Sequence, residues 1–489
     1  MACQIPNECL SEILKYLEKD EPTLYSCLLV NRLWCKIAVR ILWSNVWDFK
    51  SSYQRRPVSK ASSILDTLIA CLPSESKELL IKNKFYISAS DLKPTLFNYV
   101  EFCKVLSINE INIIVDNVLR IKKSIKPSDF RNSLVANEVC KMFISQISSL
   151  KKFTCNYMSY LHSNNIDISS FPHVNWAKDL AELCCSSNLS SSFFYQLSQI
   201  CHNLQSISIS FAGVDVSNEL KELISSQNNL KNITLSAYDG CNWACIIPTI
   251  IEHSHTITKL QLYGDDENLP FTFVSSFTNL KELIFSFECG IYFEEFEKLE
   301  NVNFSKLEIL KIPYKRPKTE YIVNFLRNNG SNLKKFYVGE MNASLNLSIA
   351  NHCPNIKSFL IRLDKEMAIL RVIFNCCPYL ESIIIWCGYD LNEKEVLDTI
   401  VNYSPNKFHE LKMYIRSNIC ASPEDWESFF ISWKYRTPKK LLNLVFLGNS
   451  IIDKEYLEII EKYENLGIIK FYNKRYEEEQ LEEGFSHYY

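Results

Sequence analysis

The sequence predicts an α/β solenoid, with short parallel strands on its concave face and helices on its convex face, preceded by a small all-α domain. Two observations predict the solenoid. An apolar motif of fixed internal spacing returns through most of the 489 residues, and the segments between its copies carry apolar residues at helical spacing. A third observation predicts the all-α domain, because the first fifty residues contain three short helical patterns.

The first helical pattern follows Pro6, which suits a first helical turn because its missing N–H costs nothing there. Its apolar stripe, at i, i+3, i+4 and i+7, is Leu10, Ile13, Leu14 and Leu17. Two further short apolar segments run over residues 24–30 and 34–43. Three short helices cannot bury this apolar surface alone. The segment therefore packs on the rest of the chain or offers a surface to a partner.

Two stretches of this segment are similar to a known family pattern: Ile5-Pro-Asn-Glu-Cys-Leu-Ser-Glu-Ile-Leu-Lys-Tyr-Leu, and Leu28-Leu-Val-Asn-Arg-Leu-Trp34. They resemble the F-box, whose pattern begins Leu-Pro-x-Glu and ends Val-(Cys/Ser)-(Lys/Arg)-x-Trp. This chain departs from the pattern in two places, with Ile5 for the leading Leu and Asn31 at the Cys/Ser position. The alternative is an ordinary helical cap on the next domain.

The resemblance implies that residues 1–48 dock a Skp-family adaptor and, through it, a cullin. We expect the adaptor-binding surface to lie within one set of apolar residues, some of which will be internal to the domain. The set is Ile5, Pro6, Leu10, Ile13, Leu14, Leu17, Leu28, Leu29, Val30 and Trp34.

The recurring motif has the form L-x-x-L-x-L. Clear copies start at Leu204, Leu230, Ile257, Leu280, Leu307, Leu333, Ile356, Leu380, Phe408, Leu441 and Leu466, with weaker copies at Leu150 and Leu180 and a doubtful first one at Cys103. The clear copies are separated by 23 to 33 residues, and leucine-rich repeats run over about 20–29 residues. The motif therefore resembles the leucine-rich repeat. The longest step, from Phe408 to Leu441, contains Pro423 and predicts a local insertion at residues 426–433.

The alternation within a strand predicts which residues meet a target. Positions four and six of each motif should point inward, and positions three, five and seven should project from the concave face. From the Leu333 repeat onward those projecting positions become large or apolar, which is typical of a protein-binding surface. The predicted substrate-binding residues are Tyr337, Leu360, Arg362, Ile384, Trp386, Tyr414, Val445 and Leu447. The alternative is that the C-terminal segment folds back and covers them.

The motifs divide the chain into four parts. Residues 1–48 are the F-box, residues 49–100 a helical linker and N-terminal cap, and residues 101–475 the leucine-rich-repeat solenoid. Residues 476–489 form an acidic C-terminal tail, whose run Glu477–Glu483 predicts a solvated tail, with a docking tail as the alternative.

Nineteen cysteines in a chain of this length do not predict a disulfide scaffold. The first residues lack the basic stretch of a signal peptide, and no apolar run approaches the ~20 residues that span a bilayer. We expect a reduced, intracellular, cytoplasmic or nuclear protein. Cys201, Cys353 and Cys377 each stand three residues before a strand leucine, which resembles the cysteine-containing subclass of leucine-rich repeats, and we expect them to be buried and unbonded.

Composition excludes most other functions. The closest two of the ten glycines are nine positions apart, so a dinucleotide fingerprint, a P-loop and a nucleophile elbow are all absent. The net charge of −3 predicts neither nucleic acid nor a membrane as partner. The spacing of Cys241, Cys245, His253 and His255 loosely suggests zinc. The last cysteine and first histidine, however, would lie about 12 Å apart along one helix.

These observations predict a protein without a cofactor, a metal or catalytic residues. The combined resemblance implies the substrate-recognition subunit of an SCF-type cullin–RING ubiquitin ligase, whose repeats bind a protein target. The alternative is a leucine-rich-repeat interaction scaffold with no ligase role. The segment Lys315–Lys318 resembles a short nuclear localisation signal, but the sequence favours a plain exposed loop.

Overall fold

The computed structural model describes residues 6–47, 58–83, 85, 87, 94–121, 129–156, 175–213, 216–265, 269–288, 294–339, 341–363, 367–387, 392–414, 421–448 and 452–474. The chain divides into two compact units, residues 1–230 and 231–489. Each unit contains leucine-rich repeats in which a short strand alternates with a helical return segment, which confirms the predicted α/β repeat fold.

The first unit opens with helices and continues with the first repeats. The helices ahead of the sheet are α1 (Asn7–Lys15), α2 (Glu21–Cys27), α3 (Arg32–Ser44), α4 (Val58–Cys71), α5 (Ser74–Lys82) and α6 (Tyr99–Phe102). The repeat elements are β1 (Val105–Ser107), α7 (Ile108–Ile121), α8 (Asp129–Gln146), β2 (Lys152–Cys155), β3 (Glu182–Ser186), α9 (Ser191–Ile200), β4 (Ser206–Phe211) and α10 (Asn218–Ser225). A 3₁₀ segment, Asn175–Ala177, lies between β2 and β3.

The second unit consists of repeats alone. Its strands are β5 (Asn232–Ala237), β6 (Lys259–Gly264), β7 (Glu282–Phe287), β8 (Ile309–Ile312), β9 (Lys335–Val338), β10 (Ser358–Leu363), β11 (Ser382–Cys387), β12 (Glu410–Tyr414), β13 (Leu442–Leu447) and β14 (Ile469–Lys474). Its helices are α11 (Ile247–Ile251), α12 (Thr319–Asn329), α13 (Ala343–His352), α14 (Met367–Cys376), α15 (Glu393–Tyr403), α16 (Pro423–Lys434) and α17 (Lys454–Asn465). Shorter 3₁₀ segments are Ala244–Ile246, Thr272–Ser276, Glu294–Leu299 and Gly330–Asn332.

Within each unit, every strand pair is parallel, and each strand pairs with the next strand of that unit. Motif positions four and six fill the core between the sheet and the return segments, as Ile207 and Ile209 do at 1% exposure each. The doubtful first motif is a true repeat, because Cys103, Leu106 and Ile108 are equally buried and β1 pairs in register with β2.

Two details of the predicted phasing are wrong. The last motif starts at Ile468 and not at Leu466, because Leu444 pairs with Phe471. Leu466 follows α17 and is 56% exposed, and Gly467, at φ +67°, makes the turn into the strand. Residues 426–433 are also no insertion, since they form the return helix α16 of their own repeat and bury four aromatic rings.

The longer repeats need polar side chains to satisfy buried backbone groups. Asn329, fully buried at the end of α12, accepts a hydrogen bond from the backbone N–H of Phe304 at 2.7 Å. Its amide nitrogen donates to the carbonyl oxygens of Val302 and Phe325. The Gln227 side chain, after α10, likewise satisfies buried backbone groups: it accepts a hydrogen bond from the N–H of Leu204 and donates one to the carbonyl of Cys201. One amide side chain thus links each of these return segments to the preceding repeat.

Among the described residues, no helix combines the length and the apolar character needed to cross a bilayer.

Candidate functional site

The N-terminal helices have a small apolar core of their own. It consists of Leu10, Leu14, Leu24, Cys27, Ile37 and Ala38, and Leu17, Leu28 and Trp34 pack half-buried against it. Five members of the predicted adaptor set are therefore wholly or partly structural. Leu10 and Leu14, at 4% and 2% exposure, are interior residues, because the i, i+4 stripe of α1 faces α3.

The rest of the predicted adaptor set is at the surface. Ile13, Leu29 and Val30 are 52%, 89% and 57% exposed, and Pro6 is exposed as well, whereas Ile5 lies outside the described residues. The same helices expose three further large apolar side chains that the sequence did not predict: Tyr16, Tyr25 and Leu33. Together, residues 6–47 contain six of the nineteen exposed large apolar side chains of the described chain. We call these six residues the apolar helix surface.

Two caps fix the turn that presents the most exposed leucine. The side chain of Asp20 accepts from the N–H of Thr23 and starts α2. The Asn31 side chain accepts from the N–H groups of Leu33 and Trp34 and starts α3. Leu29 and Val30 are held between these caps by backbone bonds to the end of α2. Asn31 is one of the two departures from the F-box pattern, and it is a favourable N-cap residue.

The far end of α3 is joined to the first repeat. The indole N–H of Trp47 donates to the carbonyl of Val105 at 2.7 Å, and the N–H of Lys104 donates to the carbonyl of Ser44. The Arg40 guanidinium lies 5.4 Å from the ring centre of Phe102. These contacts make the N-terminal helices part of the first unit while leaving the apolar helix surface exposed.

The second candidate site is the outer sheet face of the second unit, which is the set of side chains at motif positions three, five and seven. Position five forms one in-register row across β8–β14: Lys311, Tyr337, Leu360, Ile384, Lys412, Val445 and Tyr472. Neighbouring strands lie about 4.8 Å apart. Large side chains in such a row therefore pack against one another.

Half of the eight predicted substrate-binding residues are consequently buried on this face rather than accessible. Tyr337, Ile384, Val445 and Leu447 form one cluster and are at most 3% exposed. The phenol of Tyr337 also hydrogen-bonds Ser358 on the next strand at 2.7 Å. Strand alternation assigns these residues to the outer face correctly, but alternation does not report the packing between equivalent residues of successive repeats.

The other predicted residues stay accessible. Arg362 is exposed, and Leu360, Trp386 and Tyr414 are half-buried. Arg362, Trp386 and Tyr414 are direct neighbours in register on β10, β11 and β12. The guanidinium of Arg362 lies 5.8 Å from the ring centre of Trp386, whose ring lies 5.4 Å from that of Tyr414. This Arg–Trp–Tyr stack has the residue types that dominate protein interfaces.

A groove of about 290 Å³ lies at position three, near the start of the strands. Acidic and basic groups pair within it, as Lys357 does with Glu381 at 2.8 Å. The hydrogen bond from Lys357 holds the pKa of the Glu381 carboxyl below its ordinary value. Such pairs are typical of a solvated surface rather than of a site tuned for proton transfer.

The cysteines of the repeats behave as the sequence predicts. Cys201, Cys353 and Cys377 are unbonded and at most 1% exposed. Burial raises the pKa of the Cys201 and Cys377 thiols to about 12 and that of Cys353 further still. Thiols with such pKa values are poor nucleophiles. Within the described ranges, no group of three or more His, Cys, Asp or Glu side chains is placed to hold a metal ion.

The segment Lys315–Lys318 leads directly into α12. The sequence favoured an exposed loop here, and that prediction is wrong: all three basic residues are half-buried, and the Arg316 guanidinium donates to Thr319.

The family model described as F-box-like matches residues 2–47. No curated protein has a sequence that matches the chain. Among solved structures, the complex of Rad7 and Elc1 in yeast is similar at 13% identity and a TM-score of 0.41, covering 59% of this chain and 75% of that one. The leucine-rich repeat-containing protein LegL7 from Legionella pneumophila is similar at 15% identity and a TM-score of 0.34, covering 63% and 98%. The family match at residues 2–47 and the strand–return repeats of the fold together describe an F-box-like domain followed by leucine-rich repeats.

Proposed function

We propose that the protein is a substrate-recognition subunit of an SCF-type cullin–RING ubiquitin ligase. In this scheme the F-box-like domain docks a Skp-family adaptor, which links it to a cullin, and the repeats bind a protein target. One observation carries the proposal. The F-box-like domain exposes a third of the large apolar side chains that are exposed in the described chain, although it spans only 42 described residues. Exposed apolar groups at that density are typical of a protein-binding surface.

The contribution of this chain is positional. A receptor that holds a target beside a ubiquitin-charged enzyme raises the effective concentration of the target lysines, to the mM range for a short connection. This work needs no nucleophile, general base or cofactor of its own, and we propose that the chain is not itself an enzyme. Its place of action would be the cytoplasm, the nucleus or both.

We propose that the Arg–Trp–Tyr stack on the outer sheet face contacts the target. It offers a cation and two aromatic rings in one line across three strands. Replacing Trp386 and Tyr414 together by alanine should abolish capture of an adaptor-dependent target and leave adaptor binding unchanged. If the variant still captures the same targets, the target site lies elsewhere.

The adaptor half of the proposal is tested by co-purification of the full chain with a Skp-family adaptor. Leu29→Glu should weaken adaptor binding at least tenfold, because it places a charge in an apolar contact without disturbing the domain core. Leu96→Glu is the matched control, since that leucine is also highly exposed (83%, against 89% for Leu29) and lies outside the F-box-like domain. Equal adaptor binding by both variants and the unmodified chain would refute the assignment.

One observation favours a second candidate, an interaction scaffold without a ligase role. The contacts of Trp47 and Ser44 with the residues around β1 show that α3 also covers the start of the repeats. A pure cap would explain these contacts but not the exposed leucine and tyrosine side chains of the apolar helix surface. The co-purification experiment separates the two, because a scaffold would retain its target while binding no adaptor.

A further inference from the structure

We propose that a groove at the edge of the second unit's sheet, where its strands begin, binds an acidic peptide segment. We call this edge the lysine edge, and it comprises the first three motif positions of each repeat and the three residues before them. The binding of such a segment is a property of this chain alone. That the segment belongs to a ubiquitylation target rests on the proposed function.

The lysine edge has a strong excess of positive charge. From β5 to β14 it contains eleven lysines and four glutamates, whereas the whole chain has a net charge of −3. All these strands are parallel, so their starts lie at one edge of the sheet, about 4.8 Å apart from repeat to repeat. Charge of one sign concentrated in this way attracts a ligand of the opposite sign.

Two adjoining grooves, of about 370 and 290 Å³, lie on this edge and share Glu308, Lys334 and Lys357 in their walls. Together they form one continuous groove over the starts of β8–β12, which we call the edge groove. Tyr379 lines it and is 45% exposed, and the Lys407 ammonium lies 4.7 Å from its ring centre. Five strand starts span about 19 Å, which is the length of about six extended residues.

The glutamates of the edge groove already have partners. Glu308 pairs with Lys334 and Glu381 with Lys357, each at 2.8 Å, and Glu410 accepts a hydrogen bond from Ser382. Four lysines in or beside the groove, by contrast, form no ion pair with any carboxylate of the described residues: Lys281, Lys306, Lys335 and Lys407. A carboxylate of a ligand can therefore pair with these cations without breaking an ion pair of the chain.

The polar groups of the edge groove favour a peptide over a nucleic acid. Its walls carry the acceptors Glu308, Glu381 and Glu410 among the lysines. A peptide backbone can donate N–H groups to these acceptors and accept hydrogen bonds from the lysines through its carbonyl groups. A chain of phosphates is repelled by the three carboxylates. The ligand that fits the groove is therefore a peptide with acidic side chains.

The edge groove and the Arg–Trp–Tyr stack lie on the same three strands. Ser358, Ser382 and Glu410 line the groove at position three of β10, β11 and β12, and the residues of the stack stand four positions further along each strand. Four residues of a strand span about 13 Å. One extended target segment can thus contact both sites, with its acidic residues about four positions from the residue that meets the stack.

The inference is tested with the full chain and a fluorescein-labelled octaglutamate peptide, whose binding is followed by fluorescence anisotropy. The unmodified chain should bind the peptide saturably at low salt and less tightly as the salt concentration rises. The double variant Lys306→Glu/Lys407→Glu should bind it at least tenfold more weakly, because both side chains are exposed and would meet the peptide with charge of the same sign. Lys306→Gln/Lys407→Gln should give a smaller loss.

The matched control is Lys298→Glu/Lys454→Glu, which changes the net charge equally at two exposed lysines of return segments. It should change the dissociation constant of the peptide less than twofold. Equal weakening in the two charge-reversed variants would overturn the proposal. So would the lack of saturable binding at low salt, or tighter binding of an oligothymidylate of equal charge.

The acidic run Glu477–Glu483 of the chain itself lies outside the described residues, and it is a competitor for the same cations. If changing its glutamates to glutamine raised peptide binding at least tenfold, the groove would belong to this segment and the assignment to a target would be overturned. Adaptor binding should be the same in Lys306→Glu/Lys407→Glu and in the unmodified chain. Failure of this inference is therefore distinguishable from failure of the proposed function.

Discussion

At the scale of single residues, Asn329 shows how a buried amide holds two repeats together. Its side chain makes three hydrogen bonds to backbone groups of residues 302, 304 and 325, and it is fully buried. Removing it leaves backbone groups without partners in the interior, and each such group costs about 1–3 kcal/mol.

We therefore predict that Asn329→Ala lowers the free energy of unfolding by at least about 3 kcal/mol, measured by urea denaturation of the full chain. Asn328→Ala is the control, because that neighbouring side chain bonds the carbonyl of Glu300 at the surface. Its effect should stay within about 0.5 kcal/mol. An equal decrease in the free energy of unfolding in the two variants would show that the buried hydrogen bonds of Asn329 stabilise the chain no more than a surface hydrogen bond does.

The buried thiols give a second residue-scale prediction. With pKa values of about 12, only about one in 10⁴ of the Cys201 and Cys377 thiols is ionised at pH 8. Iodoacetamide should therefore alkylate them at least 100-fold more slowly than the exposed Cys376 and Cys245. Mass analysis after timed alkylation measures the rates. Equal rates, or a disulfide between Cys201, Cys353 and Cys377, would contradict the repeat phasing.

The adaptor surface was only partly predictable from the sequence, as its single residues show. The helical stripe predicted the apolar face of α1 correctly, but in a domain with its own core that face points inward, as Leu10 and Leu14 do. Tyr16 directly follows α1, and Tyr25 lies on α2 beside the buried Leu24; neither belongs to the predicted stripe, so no signal in the sequence indicated that they are at the surface. Leu29 and Val30 were predicted because the F-box pattern includes their position.

At the scale of elements, α16 is fixed by a capping box at its start. Ser422 accepts from the N–H of Asp425, and Asp425 accepts from the N–H of Ser422 and from Lys394 at 2.8 Å. These hydrogen bonds, that of Lys394 foremost, hold the pKa of Asp425 below its ordinary 3.8. The stabilisation by this carboxylate is thus present near neutral pH and is lost as the pH falls through the lowered pKa.

We predict that Ser422→Ala lowers the free energy of unfolding by about 1 kcal/mol near neutral pH. Asp425→Ala should also destabilise the chain there, and its difference from the unmodified chain should shrink as the pH falls from about 6 to about 3. Ser432→Ala, at an exposed position of the same helix, is the control and should cost nothing. A pH-independent effect of Asp425→Ala would rule out the carboxylate as its cause.

The elements were predictable to different degrees. Strand phase followed from alternation, because one face of every strand is buried, and even the doubtful first repeat obeyed it. The return segments were less predictable. Thr272–Ser276 and Glu294–Leu299 are 3₁₀ segments where α-helices were expected. A repeat only needs a short segment that leads from one strand to the next and buries apolar side chains, and a 3₁₀ segment can do this. The last motif was placed two residues early because leucine also ends α17.

At the scale of the whole molecule, the two candidate surfaces belong to different units. The apolar helix surface lies in the first unit, and the Arg–Trp–Tyr stack lies in the second. A change in one surface should leave binding at the other intact, as a receptor that joins an adaptor to a target requires. The F-box pattern and the repeat motif predicted these two surfaces, whereas the identity of a target depends on side-chain contacts that no repeat motif encodes.

The proposed adaptor docking is best tested by hydrogen exchange of the full chain, with and without a saturating Skp-family adaptor. We expect the adaptor to slow amide exchange in residues 6–34, most of all in the exposed turn at Leu29 and Val30, and to leave the strands of the second unit unchanged. Unchanged exchange throughout residues 6–47 in the presence of the adaptor would contradict the proposed docking.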